Sequence, residues 1–87
     1  MMILYAGQVQ GVGFRYTLYQ IASRLALSGY IQNTDNGNVL AILQGENENI
    51  DSFLQESTHL EDELIRVDDY LAKELPPVNG ESGIKVF

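Results

Sequence analysis

Apolar residues change their spacing along this chain in a way that predicts most of its elements. Residues 2 to 9 form an apolar run of strand-like character that stops at a glycine-rich loop. Beyond it Leu18, Ile21, Ala22 and Leu25 recur at helical spacing, which predicts a helix from about Arg15 to Leu27 with Gly29 just past its end. Tyr30-Ile31-Gln32-Asn33 and Asn38-Val39-Leu40-Ala41-Ile42-Leu43 then flank Asp35-Asn36-Gly37. The Asn-Gly pair suits the positive φ angles of a hairpin turn, so two antiparallel strands are expected. Gly45 ends the second of them. Ile50, Phe53 and Leu54 mark a second amphipathic helix, capped by Asn47 or Asn49 and reaching about His59 or Glu61. Ile65 to Leu71 alternates weakly, and Ile84 to Phe87 reads as a short last strand after the Pro76-Pro77 loop and a turn over Gly80 to Gly83.

The order strand, helix, strand, strand, helix, strand, with one small extra strand, fits an α+β fold of the split βαβ kind. In such a fold both helices cover one face of an antiparallel sheet. A strand, its crossover helix and the next strand of that unit run parallel, so the loop after strand one and the carboxyl end of strand two share one edge. Arg15 and Asn33 are therefore expected at one site. With one strand between them, their strands are roughly 10 Å apart at about 4.8 Å per strand step, close enough for a side chain from each to meet around a phosphate and a water.

Composition narrows the class of function. Eighty-seven residues with 45% hydrophobic content suit one domain over residues 1–87 with a modest core. The chain has no cysteine and one histidine, which excludes disulfide frameworks, thiolate zinc sites and histidine-rich metal sites. The apolar start is too short for a secretory signal and no run approaches membrane-spanning length, so a cytoplasmic protein that is not membrane-bound is expected. A net charge of −7 with only five basic residues argues against nucleic-acid binding, which draws its affinity from cationic contacts to phosphates. That charge does not bar a small anion, because screening beyond roughly 8 Å lets a local cluster of donors prevail over distant carboxylates.

The chemistry concentrates at residues 7 to 15, Gly-Gln-Val-Gln-Gly-Val-Gly-Phe-Arg. Glycines at 7, 11 and 13 allow several N–H groups to turn toward one anion. The helix that follows adds its positive end, and Arg15 adds a planar fork of donors. The same spacing also suits a plain strand-to-helix turn with a solvated arginine, and spacing alone does not choose. A Walker loop is excluded because no Gly-Lys-Ser/Thr follows, and a dinucleotide fingerprint because Tyr16 stands where its third glycine belongs. Elsewhere His59 reads as a surface histidine. Glu61-Asp62-Glu63 and Asp68-Asp69 read as a solvated face rather than a cation site. The serines lack a partner to activate them. Tyr16 and Tyr19 are candidates for the rim of the site, with packing the favoured role.

These residues resemble the acylphosphatase family. The resemblance rests on residues 7 to 15, on Tyr16-Thr17 with Tyr19 and on Ala22 with Leu25, on Gly29-Tyr30-Ile31-Gln32-Asn33 and on Asp35-Asn36-Gly37-Asn38-Val39. It continues more weakly through Gly45 and Phe53-Leu54 to Gly83-Ile84-Lys85-Val86-Phe87. It implies a ferredoxin-like fold and metal-independent hydrolysis of small acyl phosphates to a carboxylate and inorganic phosphate, by a monomer without a cofactor. Carried over by position, the amides of Gln10, Gly11, Val12, Gly13, Phe14 and Arg15 bind phosphate together with the Arg15 side chain, and Asn33 orients the attacking water. The chain departs from the family pattern in a first strand that looks short, in Ala26 where glycine is usual, and in an acidic segment from His59 to Asp69. The alternatives are a carbamoyl-phosphate-handling domain of the hydrogenase-maturation carbamoyltransferase type and an inactive binding module. The first usually has proline and phenylalanine after the arginine. Tyr16-Thr17 stands there instead, and the chain ends at its last strand, so a freestanding enzyme is expected.

Overall fold

The computed structural model describes residues 1–78 and 82–87. Strand β1 (Met2–Gln8) leads through the glycine loop to helix α1 (Phe14–Arg24), and β2 (Ser28–Asn33) and β3 (Val39–Gln44) form the hairpin. Helix α2 (Asn47–Thr58), β4 (Arg66–Lys73) and β5 (Ile84–Val86) complete the order. The five strands lie side by side as β4-β1-β3-β2-β5. The pairs β4–β1, β1–β3 and β3–β2 are antiparallel, as expected for the split βαβ unit, while β5 pairs parallel with β2 and makes the sheet mixed.

Alternation decides which face carries the core. Ile3 and Tyr5 of β1, Ile31 of β2 and Val39, Ala41 and Leu43 of β3 are buried, and they meet Leu18, Ile21 and Ala22 of α1 and Ile50 and Phe53 of α2. A period of two meets the helical period on one shared surface. Tyr5 brings a hydroxyl into this core, where Ser57 Oγ is its partner at 2.7 Å. Burial pushes the Tyr5 hydroxyl far above its ordinary value of 10.0, although the Ser57 hydrogen bond works against the rise.

Several local expectations are corrected. Helix α1 stops at Arg24 because Ala26 takes a left-handed φ of 55°. Its N–H bonds Ser23 O at 3.2 Å while that of Leu27 bonds Ala22 O at 2.9 Å, the paired bonds of a Schellman ending. Gly29, expected as the helix stop, lies inside β2 instead, and a Cβ there would stand 1.9 Å from Ile42 O. Helix α2 is not capped by Asn47 or Asn49. Its cap position is Glu46, whose carbonyl receives the Asn49 and Ile50 N–H groups at 3.0 Å with no side-chain cap. In the hairpin only Gly37 takes a positive φ, 93°, and Asn36 does not. Thr34 N bonds Asn38 O at 2.9 Å around three intervening residues, and Gly37 N bonds Thr34 O at 3.3 Å, a longer turn than an Asn-Gly pair implies. The expected turn over Gly80 to Gly83 lies partly outside the described residues; Gly83 is described, and its carbonyl accepts the Gly29 N–H at 3.0 Å. The Pro76-Pro77 stretch is exposed, and Gln44 holds its far end by two 2.7 Å bonds to the backbone of Val78.

Candidate active site

The loop between β1 and α1 is pinned from below. Phe14 is buried and meets Tyr5 edge-on, with ring centroids 5.0 Å apart, and Val12 packs partly buried against the same core. Gly11 and Gly13 have φ of 73° and 82°, and a Cβ at either would meet nothing within 4 Å, so glycine is needed there for conformation rather than for space. Gly7 works differently. A Cβ there would lie 2.2 Å from Arg66 O, so this glycine admits β4 at the bulge beside Ala6 and does not shape the loop.

Gly13 is the cap residue of α1 and offers no side chain to it, and no acidic residue stands in the first turn. Helix geometry leaves the first N–H groups, from Phe14 to Tyr16, without intrahelical partners. The helix start thus presents free donors and positive potential, which favours an anion. Arg15 is part-exposed in that turn, and its Nη1 donates to the carbonyl of Phe87 just beyond β5.

Topology brings the predicted partner to the same edge. β1 and β2 are parallel across the intervening β3, so the loop that ends β1 and the residue that ends β2, Asn33, lie on one side of the sheet. Gln10 ties the two together. Its Nε2 donates to Thr34 O at 2.8 Å and to Asn38 O at 2.7 Å, both in the hairpin that follows Asn33. Among the described residues, Asn33 Oδ1 is the buried side-chain polar atom left without a hydrogen-bond partner. A buried acceptor in that state costs free energy unless something donates to it.

A cleft of about 420 Å³ opens against this loop, lined by Gly11, Gly13, Arg15, Tyr16, Tyr19 and Val86 among others. The favoured packing role for Tyr16 and Tyr19 is corrected here: they are 64% and 39% exposed and form part of the cleft wall. The remaining candidates lie apart from it. His59 is exposed at the end of α2, its Nδ1 2.8 Å from Gln55 O. Asp68 is hydrogen-bonded to Arg66, which holds its carboxyl below the usual range. Among the described residues no three acidic or histidine side chains converge on a common point.

The whole length bears the resemblance seen in the loop, since residues 1–86 match the acylphosphatase family. The chain belongs to the acylphosphatase family. It is similar to the acylphosphatase of Oceanobacillus iheyensis, with 48% identity over 79% of this chain and 76% of that one. Its backbone is similar to the crystal structure of acylphosphatase from Bacillus subtilis, with a TM-score of 0.91 and 28% identity over 99% of this chain and 94% of that one. It also resembles part of the crystal structure of T. kodakarensis HypF, with a TM-score of 0.85 and 31% identity, covering 99% of this chain but 11% of that one. The architecture of the two helices and five strands is thus the ferredoxin-like fold of acylphosphatases, and family membership makes the chain an acylphosphatase enzyme. No helix among the described residues is long and apolar enough to cross a membrane.

Proposed function

We propose that this acylphosphatase hydrolyses the carboxyl–phosphate bond of small acyl phosphates with Arg15, the loop amides and Asn33 as its working groups. The observation that carries the reading is the unpartnered Asn33 Oδ1, on the same sheet edge as an uncapped helix start bearing Arg15. The phosphoryl group sits on the amides of Gln10 to Arg15, and the Arg15 fork spans two of its oxygens. Asn33 Oδ1 accepts one O–H of a water, which turns that water's lone pair toward phosphorus. The water oxygen bonds to phosphorus as the bond from phosphorus to the acyl oxygen breaks, and the carboxylate departs with the electron pair. A phosphoryl oxygen takes the water's proton, so no strong base is required. Charge spread over the phosphoryl oxygens is met by donors already in place, the arrangement that lowers such barriers most.

The likeness to a small part of a much longer chain supports a second reading, a module that handles carbamoyl phosphate within a larger assembly. Turnover of acetyl, benzoyl and carbamoyl phosphate separates the two, and absence of turnover with all three leaves an inactive binding module. The assignment of Asn33 is tested on a folded Asn33→Ala variant. Turnover should fall by about 10² or more, the scale of losing one preorganised group, while calorimetric affinity for inorganic phosphate persists. Loss of affinity together with rate would make Asn33 a phosphate ligand or a structural residue instead.

A further inference from the structure

The hairpin turn carries a reactive pair that the hydrolytic chemistry does not use. Asn36 and Gly37 are exposed, and a Cβ at Gly37 would meet nothing within 4 Å, so the Gly37 amide has no side chain beside it and open space around it. Its N–H bonds Thr34 O at 3.3 Å, beyond the usual range and too long to hold it firmly. The side-chain amide of Asn36 is polarised as well. Its Oδ1 accepts a hydrogen bond from Thr34 Oγ1, whose own oxygen accepts the Asn38 N–H at 3.1 Å. Donation into a hydroxyl oxygen strengthens that hydroxyl as a donor, and a hydrogen bond to Oδ1 draws electron density from Cγ. The other asparagines among the described residues lack this combination. Asn33 and Asn38 precede the β-branched Thr34 and Val39, whose bulk crowds the following amide. Asn47 and Asn49 lie in α2, where helical backbone angles hold the next nitrogen away from the side-chain carbonyl.

We propose that Asn36 is a site of spontaneous modification, converting to isoaspartate with loss of ammonia, and that the conversion releases the brace between the hairpin and the β1–α1 loop. The Gly37 nitrogen gives its proton to solvent hydroxide and bonds to Asn36 Cγ. The Cγ–Nδ2 bond breaks, and the nitrogen leaves with the electron pair, taking a proton from water to depart as ammonia. A five-membered cyclic imide remains. Water adds to one of its two carbonyls and breaks the bond to the Gly37 nitrogen, which regains a proton. Opening at Cγ leaves aspartate. Opening at the main-chain carbonyl leaves isoaspartate, in which the chain runs through the side-chain carbons and is one backbone atom longer. That atom enters a turn closed by the 2.9 Å bond from Thr34 N to Asn38 O. Gln10 Nε2 reaches Thr34 O at 2.8 Å and Asn38 O at 2.7 Å, so it holds both only while their spacing is kept. Gly37 and Gln10 border the same hollow, which sets the change beside the loop. The effect on turnover rests on the acyl phosphate reading above; the modification itself does not.

The test ages the folded Asn79→Gln protein in mildly alkaline buffer, so that the second Asn-Gly pair of the sequence, Asn79-Gly80, outside the described residues, contributes nothing. Peptide mapping by mass spectrometry, with an isoaspartyl methyltransferase to mark isoaspartate, should find Asn36 converted ahead of Asn33, Asn38, Asn47 and Asn49. The product carries one more negative charge and separates on ion exchange. Its unfolding constant in urea melts should stand about 5- to 150-fold above that of the unaged protein, the worth of two lost hydrogen bonds, and its kcat for acetyl phosphate should be lower by about fivefold or more. Asn36→Asp, which adds the charge without the extra backbone atom, should keep both values, and Asn36→Gln should age without change in either. Conversion of Asn36 no faster than that of the other four asparagines, or an isoaspartate form as stable as the unaged protein, would overturn the proposal. A converted and destabilised protein whose unaged form turns over no acyl phosphate would leave the modification standing and remove the hydrolytic reading.

Discussion

Gln10 offers a perturbation whose size follows from its contacts. Its side-chain amide spans two carbonyls, Thr34 O at 2.8 Å and Asn38 O at 2.7 Å, and joins the β1–α1 loop to the turn after Asn33. Gln10→Ala removes both bonds. Each carbonyl keeps another donor, since Thr34 O still receives the Gly37 N–H at 3.3 Å and Asn38 O the Thr34 N–H at 2.9 Å. Neither is stranded, so the loss should follow the net worth of two ordinary hydrogen bonds, about 1–3 kcal/mol in total. Gln10→Glu should be worse at neutral pH, because it sets a carboxylate oxygen against two carbonyl oxygens. Urea unfolding measures the stability. Steady-state kinetics should show kcat falling on the order of tenfold or more with a smaller change in KM, because Asn33 loses its fixed relation to the loop. A Gln10→Glu variant as stable and as fast as the unaltered protein would show that this brace contributes nothing and refute the reasoning.

Three further outcomes are expected. Arg15→Lys keeps the charge but loses the bidentate fork, so phosphate affinity and turnover should drop together, by about 1.5–3 kcal/mol for each charged hydrogen bond lost, as calorimetry and initial rates would show. Ala26→Gly should raise stability by about 1 kcal/mol without altering kcat, since Ala26 holds a φ of 55° at a helix end where glycine carries no steric cost; a thermal melt reads it directly. The buried Tyr5 hydroxyl holds its proton above the ordinary 10.0 in the folded state, so above about pH 10 the unfolded chain binds fewer protons than the folded one and stability falls as pH rises. The Tyr5 contribution to that fall is about 1.4 kcal/mol per pH unit and should be absent in Tyr5→Phe, as alkaline unfolding curves would show.

What could be read from the sequence was whatever depends on local period or on topology. The stripe of Leu18, Ile21 and Ala22 marks the buried face of α1, and the parallel course of the two strands joined by the crossover places Arg15 and Asn33 on one edge. Hidden were features set by residues far apart in the chain. Gly29 resembles a helix stop locally, but its reason is the Ile42 carbonyl against its Cα. Ala26 ends the helix without the glycine that announces such an ending. Tyr16 and Tyr19, three apart on an amphipathic helix, look like core by spacing, and only the position of Val86 shows that they border a cleft. Gln10 carries no local signal at all, since its partners lie in another turn.

The contact from Arg15 to the Phe87 carbonyl joins residues 72 apart in sequence, and the strand just before Phe87 supplies the cleft's opposite wall. Closing so long a stretch of chain carries an entropic cost, which grows only slowly with its length. The space between α1 and β5 therefore exists only once the two ends of the chain have come together, so the cleft is a product of the complete fold and not of the loop alone.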